Sequence, residues 1–367
     1  MKCKRKFDGG NMRLARQDWR CFIESGSLIR LNKDNYLIGW GARTWLENIY
    51  ESPSPFFYFP DFFLSSPCPW FQHEYTAIVS HHEFLAAMHT YPATPLPLSW
   101  KNPYLAHFEN TCKELHTHFY NKKLKKAVPY IFEESLSTMT LDRLGSTLKH
   151  LINYVKDQQL HVYGYWEETE GILGASPEIL FNYHNASEGL IETVACAGTK
   201  RYRDSDSIFI QDSKELYEHQ LVIEGIQESL SSLGVVTIGE LQILQLPKIS
   251  HLMTPIQLKM KGPSNFLALV KALHPTPALG AFPKEEGRKW LHLYNDKIDR
   301  WRYGAPVGCL FDNKRQARCI VGIRNVQWNS QGAKIGAGCG IVPASQWHHE
   351  WQEINLKLLS IKEMIAL

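Results

Sequence analysis

Apolar residues recur along the chain with two different spacings, and each spacing predicts one kind of element. Between residues 139 and 158 they fall three or four positions apart, which places them on one face of a helix. That face carries Leu141, Leu144, Leu148, Leu151 and Ile152. We also predict helices over residues 104–121 and in SKELYEHQLVIEGIQESL and EWQEINLK, where apolar and charged residues alternate at helical spacing.

Shorter apolar runs bounded by turn residues predict β-strands. We expect LIRLNKDNYLIGW to form two strands around a turn, and HVYGYWEE, GILGASPEILFNYH and ARCIVGIRN to be strands of a sheet. VPYIF is also strand-like, and ETVACAGT is expected to end a strand in a small-residue turn. The aromatic stretch FFYFPDFFLSSPCPWF carries three prolines, so we expect neither one long helix nor a central strand there.

A proline-rich segment, TYPATPLPLSWKNP, marks a boundary at residues 90–103. We therefore describe two parts of one fold, an aromatic-rich N-terminal part of sheet and loops over residues 1–103 and a second part over residues 104–367. The candidate chemistry falls in the second part. The histidines of the first part show no metal-binding spacing, so we expect them to lie in the core or at the surface.

Composition excludes several classes of function. The 367 residues include 44% hydrophobic and 12% aromatic side chains, enough for a large core, and the net charge is only +3. We therefore expect no nucleic-acid or membrane partner, and no apolar run reaches membrane-spanning length. The eight cysteines form no CxxC pair, so we expect reduced thiols in a cytoplasmic protein. The basic start MKCKRKFDGG lacks a signal peptide's apolar core and is expected to be a frayed terminus.

Carboxylates are paired on two of the predicted helices. Glu215 and Glu218 lie three residues apart, as do Glu350 and Glu353, and Lys357 shares the face of the second pair. If the two helices face each other, four carboxylates meet, and they need a cation to stay ionised together. Oxygen ligands alone favour a hard ion such as Mg2+. The alternative is two solvated helix faces with ordinary ion pairs.

Three glycines precede the second carboxylate pair. Gly336, Gly338 and Gly340 occur in GAGCGIVPAS, and glycine allows a backbone to approach a ligand closely. Successive backbone N–H groups in such a loop can form a concave site for an anion. We therefore predict an anion-binding loop beside the carboxylates, with a simple glycine turn as the alternative.

Four further side chains are candidates for chemistry or binding. Lys126 leads into VPYIF, where burial would free its lone pair, and Glu178 lies between Pro177 and ILF, where burial would keep it protonated. His274 sits in a stiff apolar loop, LHPTPAL, and Arg324 in an apolar strand requires an anionic partner. The alternatives are a solvated lysine, an edge-strand glutamate facing water, and a histidine bound by the backbone.

Together these segments resemble the chorismate-utilising enzymes. GASPEIL, AGT, SKELYEH, LHPTPAL, DRWRYGAPVG, IR and GAGCGIVPAS with EWQEINLK occur in the order of that family, over roughly residues 120–367. The family includes isochorismate synthase, salicylate synthase, anthranilate synthase component I and aminodeoxychorismate synthase. The resemblance implies an α+β fold like that of anthranilate synthase component I, with a large, mostly antiparallel β-sandwich core flanked by helices.

Within the family, the resemblance points to a member that uses water as its nucleophile. Aminodeoxychorismate synthase carries a lysine directly before the Gly-Thr turn, where this chain has Ala197. KKAVPY resembles the lysine motif of the water-using members, with Lys126 as the aligned residue and Lys125 one position away. HPTPA and GIVPAS are most similar to isochorismate synthase, whereas SKExxEH is shared with salicylate synthase, which goes on to eliminate pyruvate.

The resemblance also implies roles for individual residues. Lys126 would take a proton from water attacking C2 of the ring, and Glu178 would donate one to the leaving 4-hydroxyl. Mg2+ would bind the ring carboxylate, held by Glu215, Glu218, Glu350 and Glu353. The residues implied in binding the rest of chorismate are Gly198, Thr199, His274, Tyr303, Arg324, Gly338, Cys339, Gly340 and Lys357.

The expected protein is therefore a Mg2+-dependent isochorismate synthase, an isomerase that acts on chorismate. We expect a monomer without a glutaminase subunit. Salicylate synthase, anthranilate synthase component I and a non-catalytic paralogue that binds chorismate or a protein remain alternatives. The pathway that receives the product, to menaquinone or to a siderophore, is left open.

Overall fold

The computed structural model describes residues 14–93, 95, 97–101, 105–201 and 205–367. The expected frayed terminus at residues 1–10 lies outside these ranges, as does the division between residues 103 and 104. Within the described residues, no helix is both long and apolar enough to cross a membrane. No disulfide joins the described cysteines.

The described residues form eighteen strands, and each predicted strand segment overlaps at least one of them. The strands are β1 (Gly26–Arg30), β2 (Asn35–Leu46), β3 (Phe56–Tyr58), β4 (Trp70–Ser80), β5 (Lys126–Ala127), β6 (Tyr130–Ser135), β7 (His161–Trp166), β8 (Gly171–Ser176), β9 (Ile179–Tyr183), β10 (Leu190–Arg201), β11 (Gly234–Ile238), β12 (Gln242–Gln245), β13 (Ile249–Met260), β14 (Ala281–Phe282), β15 (Pro306–Phe311), β16 (Gln316–Val321), β17 (Asn325–Asn329) and β18 (Gly332–Gly338).

Nine α-helices accompany these strands in the described chain. They are α1 (Arg16–Glu24), α2 (His81–Ala87), α3 (Leu105–Tyr120), α4 (Leu141–Tyr154), α5 (Asp206–Phe209), α6 (Ser213–Leu230), α7 (Phe266–Leu273), α8 (Lys284–Asn295) and α9 (Trp347–Ile365). The helices predicted over residues 104–121 and 139–158 are confirmed as α3 and α4. Helix α4 buries Leu144, Leu148, Leu151 and Ile152, which belong to its predicted apolar face.

One antiparallel sheet of sixteen strands organises the molecule. Its order is β11-β13-β10-β9-β16-β15-β3-β4-β2-β1-β7-β8-β17-β18-β6, with β12 also paired to β13, while β14 and β5 form a separate pair. Strands β1 to β4 of the aromatic N-terminal part lie in the middle of this order. The N-terminal part is therefore continuous with the rest of the sheet.

The sheet folds back on itself, which makes it a sandwich. Strands β16 and β7 are six steps apart in the order, about 29 Å in a flat sheet at ~4.8 Å per step. Yet the Arg318 guanidinium on β16 lies 2.9 Å from His161 Nδ1 on β7. Side chains from both halves, among them Ile29, Phe57 and Tyr163, form an enclosed apolar cluster. The other faces of the strands pack with the helices in a larger core.

The prediction for the aromatic stretch was wrong in one respect. Strand β3, which we did not expect to be central, pairs with β15 on one side and β4 on the other. Its three residues end before Pro60, and Pro67 and Pro69 precede β4. The prolines therefore lie in the connection, where no ladder hydrogen bond is lost.

The predicted anion-binding glycine loop is also corrected. Gly336 and Gly338 lie in strand β18, opposite Phe132 and Tyr130 of β6, and are not part of a loop. A Cβ atom on Gly336 would lie 2.5 Å from the Phe132 ring. These glycines allow neighbouring side chains to pack against the strand, and their backbone is part of the sheet.

Candidate active site

Glutamates of helices α6 and α9 meet at a lysine that the sequence analysis did not consider. Lys214 Nζ lies 3.0 Å from Glu215 Oε1, 3.2 Å from Glu218 Oε2 and 3.0 Å from Glu350 Oε1. The fourth glutamate, Glu353, is paired with Lys357 at 2.7 Å. The two helices therefore face each other through their acidic side chains, which we call the carboxylate cluster (Glu215, Glu218, Glu350 and Glu353).

The first turn of α6 positions its two members of the cluster. Asp212 caps the helix, because its carboxylate accepts hydrogen bonds from the backbone N–H groups of Lys214 and Glu215. Glu215 and Glu218 then project from the same face one turn apart. Glu215 Oε2 also accepts a 2.7 Å hydrogen bond from the backbone N–H of Thr199, which joins α6 to strand β10.

Burial and charge change how these acids titrate. Burial, with repulsion from Glu218, raises the pKa of Glu215 to about 8, and burial raises the pKa of Glu350 to about 7. Burial alone would also raise the pKa of Glu218, but Lys126 and Lys214 outweigh it and hold that pKa at about 2. The raised pKa values of Glu215 and Glu350 show that Lys214 by itself does not keep both of these carboxylates ionised.

The donor chemistry of the cluster fits a hard divalent cation. Three carboxylates already lie within 3.2 Å of one positive charge, the Lys214 ammonium. In the described part of the chain, no three acidic, histidine or cysteine side chains are arranged to hold a metal ion as they stand. Metal binding would therefore require Lys214 to turn away, so that the ion takes over its contacts.

A second lysine reaches the cluster from strand β5. Lys126 is completely buried, and its Nζ lies 3.1 Å from Glu218 Oε1. Glu218 thus binds one lysine through each oxygen. The adjacent Lys125 is exposed, with its ammonium 5.5 Å from the centre of the Phe282 ring. Of the two candidate lysines, only Lys126 is therefore directed towards the acids.

Gly340 is required by this close packing. A Cβ atom at this position would lie 1.9 Å from Glu218 Oε1 and 2.7 Å from Lys126 Cε. Both distances are shorter than any that real Cβ atoms adopt. Any other residue here would push Lys126 and Glu218 out of their present positions.

Glu178 is an acid of a different kind. It lies in the break between strands β8 and β9, only 4% of its surface is exposed, and its Oε1 has no hydrogen-bond partner within the described residues. Burial raises its pKa to about 8, although the positive charges of Lys126 and Lys357 reduce the rise. The carboxyl group is therefore protonated at neutral pH and able to donate a proton.

A small pocket collects most of the predicted site residues. Those on its wall are Glu178, Gly198, Thr199, Glu218, Tyr303, Arg324, Gly338, Cys339, Gly340 and Lys357. The pocket encloses about 60 Å³, well below the ~300–1,000 Å³ of typical ligand pockets. Its side chains must therefore move apart to admit a ligand.

A larger, open cavity of about 520 Å³ lies outside this pocket. Its lining includes Thr199, Lys214, Glu215, Glu350 and Glu353. Thr199 belongs to both spaces, whereas Glu218 faces the inner one. The carboxylate cluster therefore forms part of the wall between the outer cavity and the inner pocket, where a cation can reach it from outside.

His274 is a predicted binding residue that the structure does not place on the pocket wall. Its Nε2 lies 2.7 Å from the carbonyl oxygen of Phe62, which is the backbone contact given above as the alternative. Burial lowers its pKa to about 3, so the ring is neutral. The same loop lines the pocket with Ala278 and Leu279 instead. A role for His274 in binding stays a prediction.

Arg324 supplies a buried positive charge to the pocket. Its guanidinium donates to Ser360 Oγ at 3.1 Å and to His251 Nε2 at 2.9 Å. Both of these partners are neutral, so the charge is available to an anionic ligand. Lys357 also faces the pocket, but Glu353 and the carbonyl oxygen of Gly338 already bind its ammonium.

The sequence analysis missed two residues of this site. Lys214 precedes Glu215 in SKELYEH. Its position at the start of a helix that carries two glutamates could have indicated that it contacts them. His251 lies in the apolar strand β13, where a single polar residue gives little indication of its neighbours. Both residues contact a predicted residue of an element that is distant in sequence: Lys214 contacts Glu350, and His251 contacts Arg324.

Comparisons with known proteins show which family the chain is similar to. A model of the family described as "chorismate binding enzyme" matches residues 76–366. The salicylate biosynthesis isochorismate synthase of Pseudomonas aeruginosa is 34% identical over 203 residues, which cover 53% of this chain and 42% of that protein. The chain spans about half, or less, of the length of curated relatives of this kind.

Solved structures share the fold. A candidate 2,3-dihydroxybenzoate-specific isochorismate synthase, DhbC from Bacillus anthracis, has a TM-score of 0.74 at 19% identity, over 96% of this chain and 100% of that chain. Anthranilate synthase component I from Streptococcus pneumoniae has a TM-score of 0.68 at 16% identity, over 100% and 95%. At these identities the likeness shows the fold alone, and it confirms the predicted α+β class. With its sequence match from residue 76 to 366, the chain belongs to the chorismate binding enzyme family.

Proposed function

We propose that this chain is an isochorismate synthase, which converts chorismate reversibly to isochorismate. One observation carries the proposal: a buried acid on the pocket wall, Glu178, is protonated at neutral pH, and a buried lysine, Lys126, contacts Glu218 of the same wall at 3.1 Å. The curated relative described above, a salicylate biosynthesis isochorismate synthase, supports the same activity. An acid and a base that are both shielded from water are what this exchange of hydroxyl groups requires.

The proposed chemistry divides between these two groups. A water molecule adds to C2 of the ring, and Lys126, once it has released its own proton, accepts the proton of that water. Both ring double bonds shift, and the C4 hydroxyl leaves as water after accepting the proton of Glu178. One proton is taken up and one is released, and the reverse reaction uses the same groups with their roles exchanged.

Ala197 excludes a nucleophile supplied by the protein at the position before Gly198. It lies on the pocket wall and presents only a methyl group. A nucleophile must therefore come from solution. A buried lysine able to accept a proton favours water, which must be activated, over ammonia, which is already nucleophilic.

Mg2+ is part of the proposal, because the carboxylate cluster fits a hard cation. When bound, the ion would neutralise the ring carboxylate of chorismate and orient the ring. Glu215, Glu218 and Glu350 would hold it, with Glu353 one turn along α9 from Glu350. Arg324 and Tyr303, on the same pocket, would bind the second carboxylate, that of the enolpyruvyl group.

The test is a product assay. The purified chain is incubated with chorismate and Mg2+, and the products are separated by chromatography. We expect a mixture of chorismate and isochorismate with no release of pyruvate. Salicylate with an equal amount of pyruvate would show that the chain is a salicylate synthase. Absence of turnover, with or without ammonia, would contradict both assignments and favour a protein that only binds chorismate.

A further inference from the structure

We propose that His251 is a positioning residue: it holds the Arg324 guanidinium and the Gly198–Thr199 backbone in the arrangement that binds the side-chain carboxylate of the substrate. The inference rests on the proposed function, because it concerns how the same pocket binds chorismate.

His251 lies between two walls of the pocket. Its Nε2 is 2.9 Å from the Arg324 guanidinium, and its Nδ1 is 3.2 Å from the carbonyl oxygen of Gly198 and 3.1 Å from Thr199 Oγ1. Only 6% of the His251 surface is exposed, and the residue itself lines the pocket. A single ring therefore joins Arg324, which follows strand β16, to the last third of strand β10.

The donors and acceptors of these contacts define one protonation state. A guanidinium can only donate, so His251 Nε2 must accept. The carbonyl oxygen of Gly198 can only accept, so Nδ1 must carry the hydrogen. Burial and the charge of Arg324 lower the pKa of His251, which keeps the ring neutral and able to serve both partners. An imidazolium would repel Arg324.

The backbone at Gly198 shows why a fixed contact is needed there. Strand β10 was expected to end at the Ala-Gly-Thr turn, but it continues to Arg201 with a bulge between Ala197 and Thr199. Gly198 adopts φ +78°, a conformation that favours glycine. Thr199 pairs directly with His251 in the ladder. The histidine thus holds the bulge at the point where the strand borders the pocket.

Arg324 depends on His251 for its direction. Its backbone also lies in the left-handed region, at φ +54°, and Ser360 holds only one side of the guanidinium. Without His251, Nη2 of Arg324 loses its acceptor, and the guanidinium is free to turn away from the pocket. Because Arg324 would bind substrate and transition state equally, loss of its orientation should raise KM more than it lowers kcat.

The experiment compares three variants of His251 in the full chain with saturating Mg2+. His251→Leu removes both contacts, His251→Gln keeps an acceptor that reaches Arg324, and His251→Asn keeps only the contact near Gly198. We expect His251→Leu and His251→Asn to raise KM for chorismate about ten- to hundredfold, the range for losing a hydrogen bond to a charged group. We expect kcat to change less than fivefold in these variants. In His251→Gln, KM for chorismate should lie close to the wild-type value.

A double-mutant cycle shows whether the effect acts through Arg324. In an Arg324→Ala background, His251→Leu should add less than a threefold change in KM, because the group it positions is gone. The control is His73→Leu, which removes another buried histidine whose ring contacts Ser27 Oγ at 2.8 Å. It should lower stability without changing KM.

The possible failures are distinct. A wild-type chain that neither turns over nor binds chorismate would overturn the proposed function and this inference with it. An active wild type whose KM is unchanged in His251→Asn, or whose KM rises equally in the Gln and Asn variants, would overturn the inference alone. If His251→Leu does not fold, the comparison of Gln with Asn still decides the matter.

Discussion

The carboxylate cluster and Glu178 are two acidic regions of one site that burial affects in opposite ways. In the cluster, Glu218 is bound by two lysines, which hold its pKa at about 2 despite burial. At Glu178 the same lysine, Lys126, acts only from a distance, and burial raises the pKa to about 8. Both carboxyl groups are almost inaccessible to water.

The difference shows that burial alone does not set the charge of an acid. A direct ammonium contact keeps a buried carboxylate ionised, whereas its absence leaves the same group protonated. One pocket wall therefore carries both an ionised carboxylate and a protonated carboxyl group, as the proposed metal site and the proposed catalysis require. Four sets of variants test whether this difference matters for activity.

The largest effect is expected from Glu178→Gln, which removes the proton donor but keeps its shape. We expect kcat to fall about 10²- to 10⁴-fold, the usual contribution of a general acid. In the wild type, kcat should fall as pH rises through about 8, because Glu178 then loses its proton. The variant should lack this limb of the pH profile. An unchanged limb would show that another group controls it.

Lys126→Ala and Lys125→Ala form a matched pair on adjacent positions. We expect Lys126→Ala to lose about 10²- to 10⁴-fold in kcat, because water attack loses its base. Lys125→Ala should remain active, since its side chain faces solvent. Steady-state rates with chorismate decide between them, and an inactive Lys125→Ala with an active Lys126→Ala would contradict the assignment.

Lys214→Met tests whether the cluster binds a cation. Without metal, three carboxylates lose a shared partner, and we expect the free energy of unfolding to fall by about 3 kcal/mol. Added Mg2+ should recover most of this loss, since it replaces the missing charge. Urea unfolding with a chelator and with Mg2+ measures both effects. Lys248→Met, which breaks only a half-exposed pair with Glu363, is the control.

Glu353→Gln should have the smallest effect, because Glu353 lies outside the contacts of Lys214 and is paired with Lys357. We expect the affinity for Mg2+ to fall about tenfold, corresponding to ~1.4 kcal/mol. Calorimetric titration with Mg2+ measures it. Glu363→Gln, on the same helix but paired with Lys248, should titrate like the wild type. Equal affinities in both variants would exclude Glu353 from the metal site.

Much of the secondary structure could be predicted because its signals are local. The spacing of Leu144, Leu148 and Leu151 determined helix α4, and short apolar runs located β7, β8 and β9. The predictions were wrong where pairing with a neighbouring strand determined the local structure. Strand β3 is central because β15 and β4 lie on either side. The glycine segment is a strand because β6 pairs with it.

Residue types and their local spacing specify which chemical groups are available: two pairs of glutamates on helices, a lysine before a strand, and an acid between apolar residues. Which of these groups meet depends on the tertiary fold. Lys214 reaches Glu350 across 136 positions of chain, and His251 reaches Arg324 across 73. Such contacts depend on how strands and helices pack, and no local pattern of residues encodes that packing. For the same reason, only the folded chain could distinguish buried Lys126 from exposed Lys125.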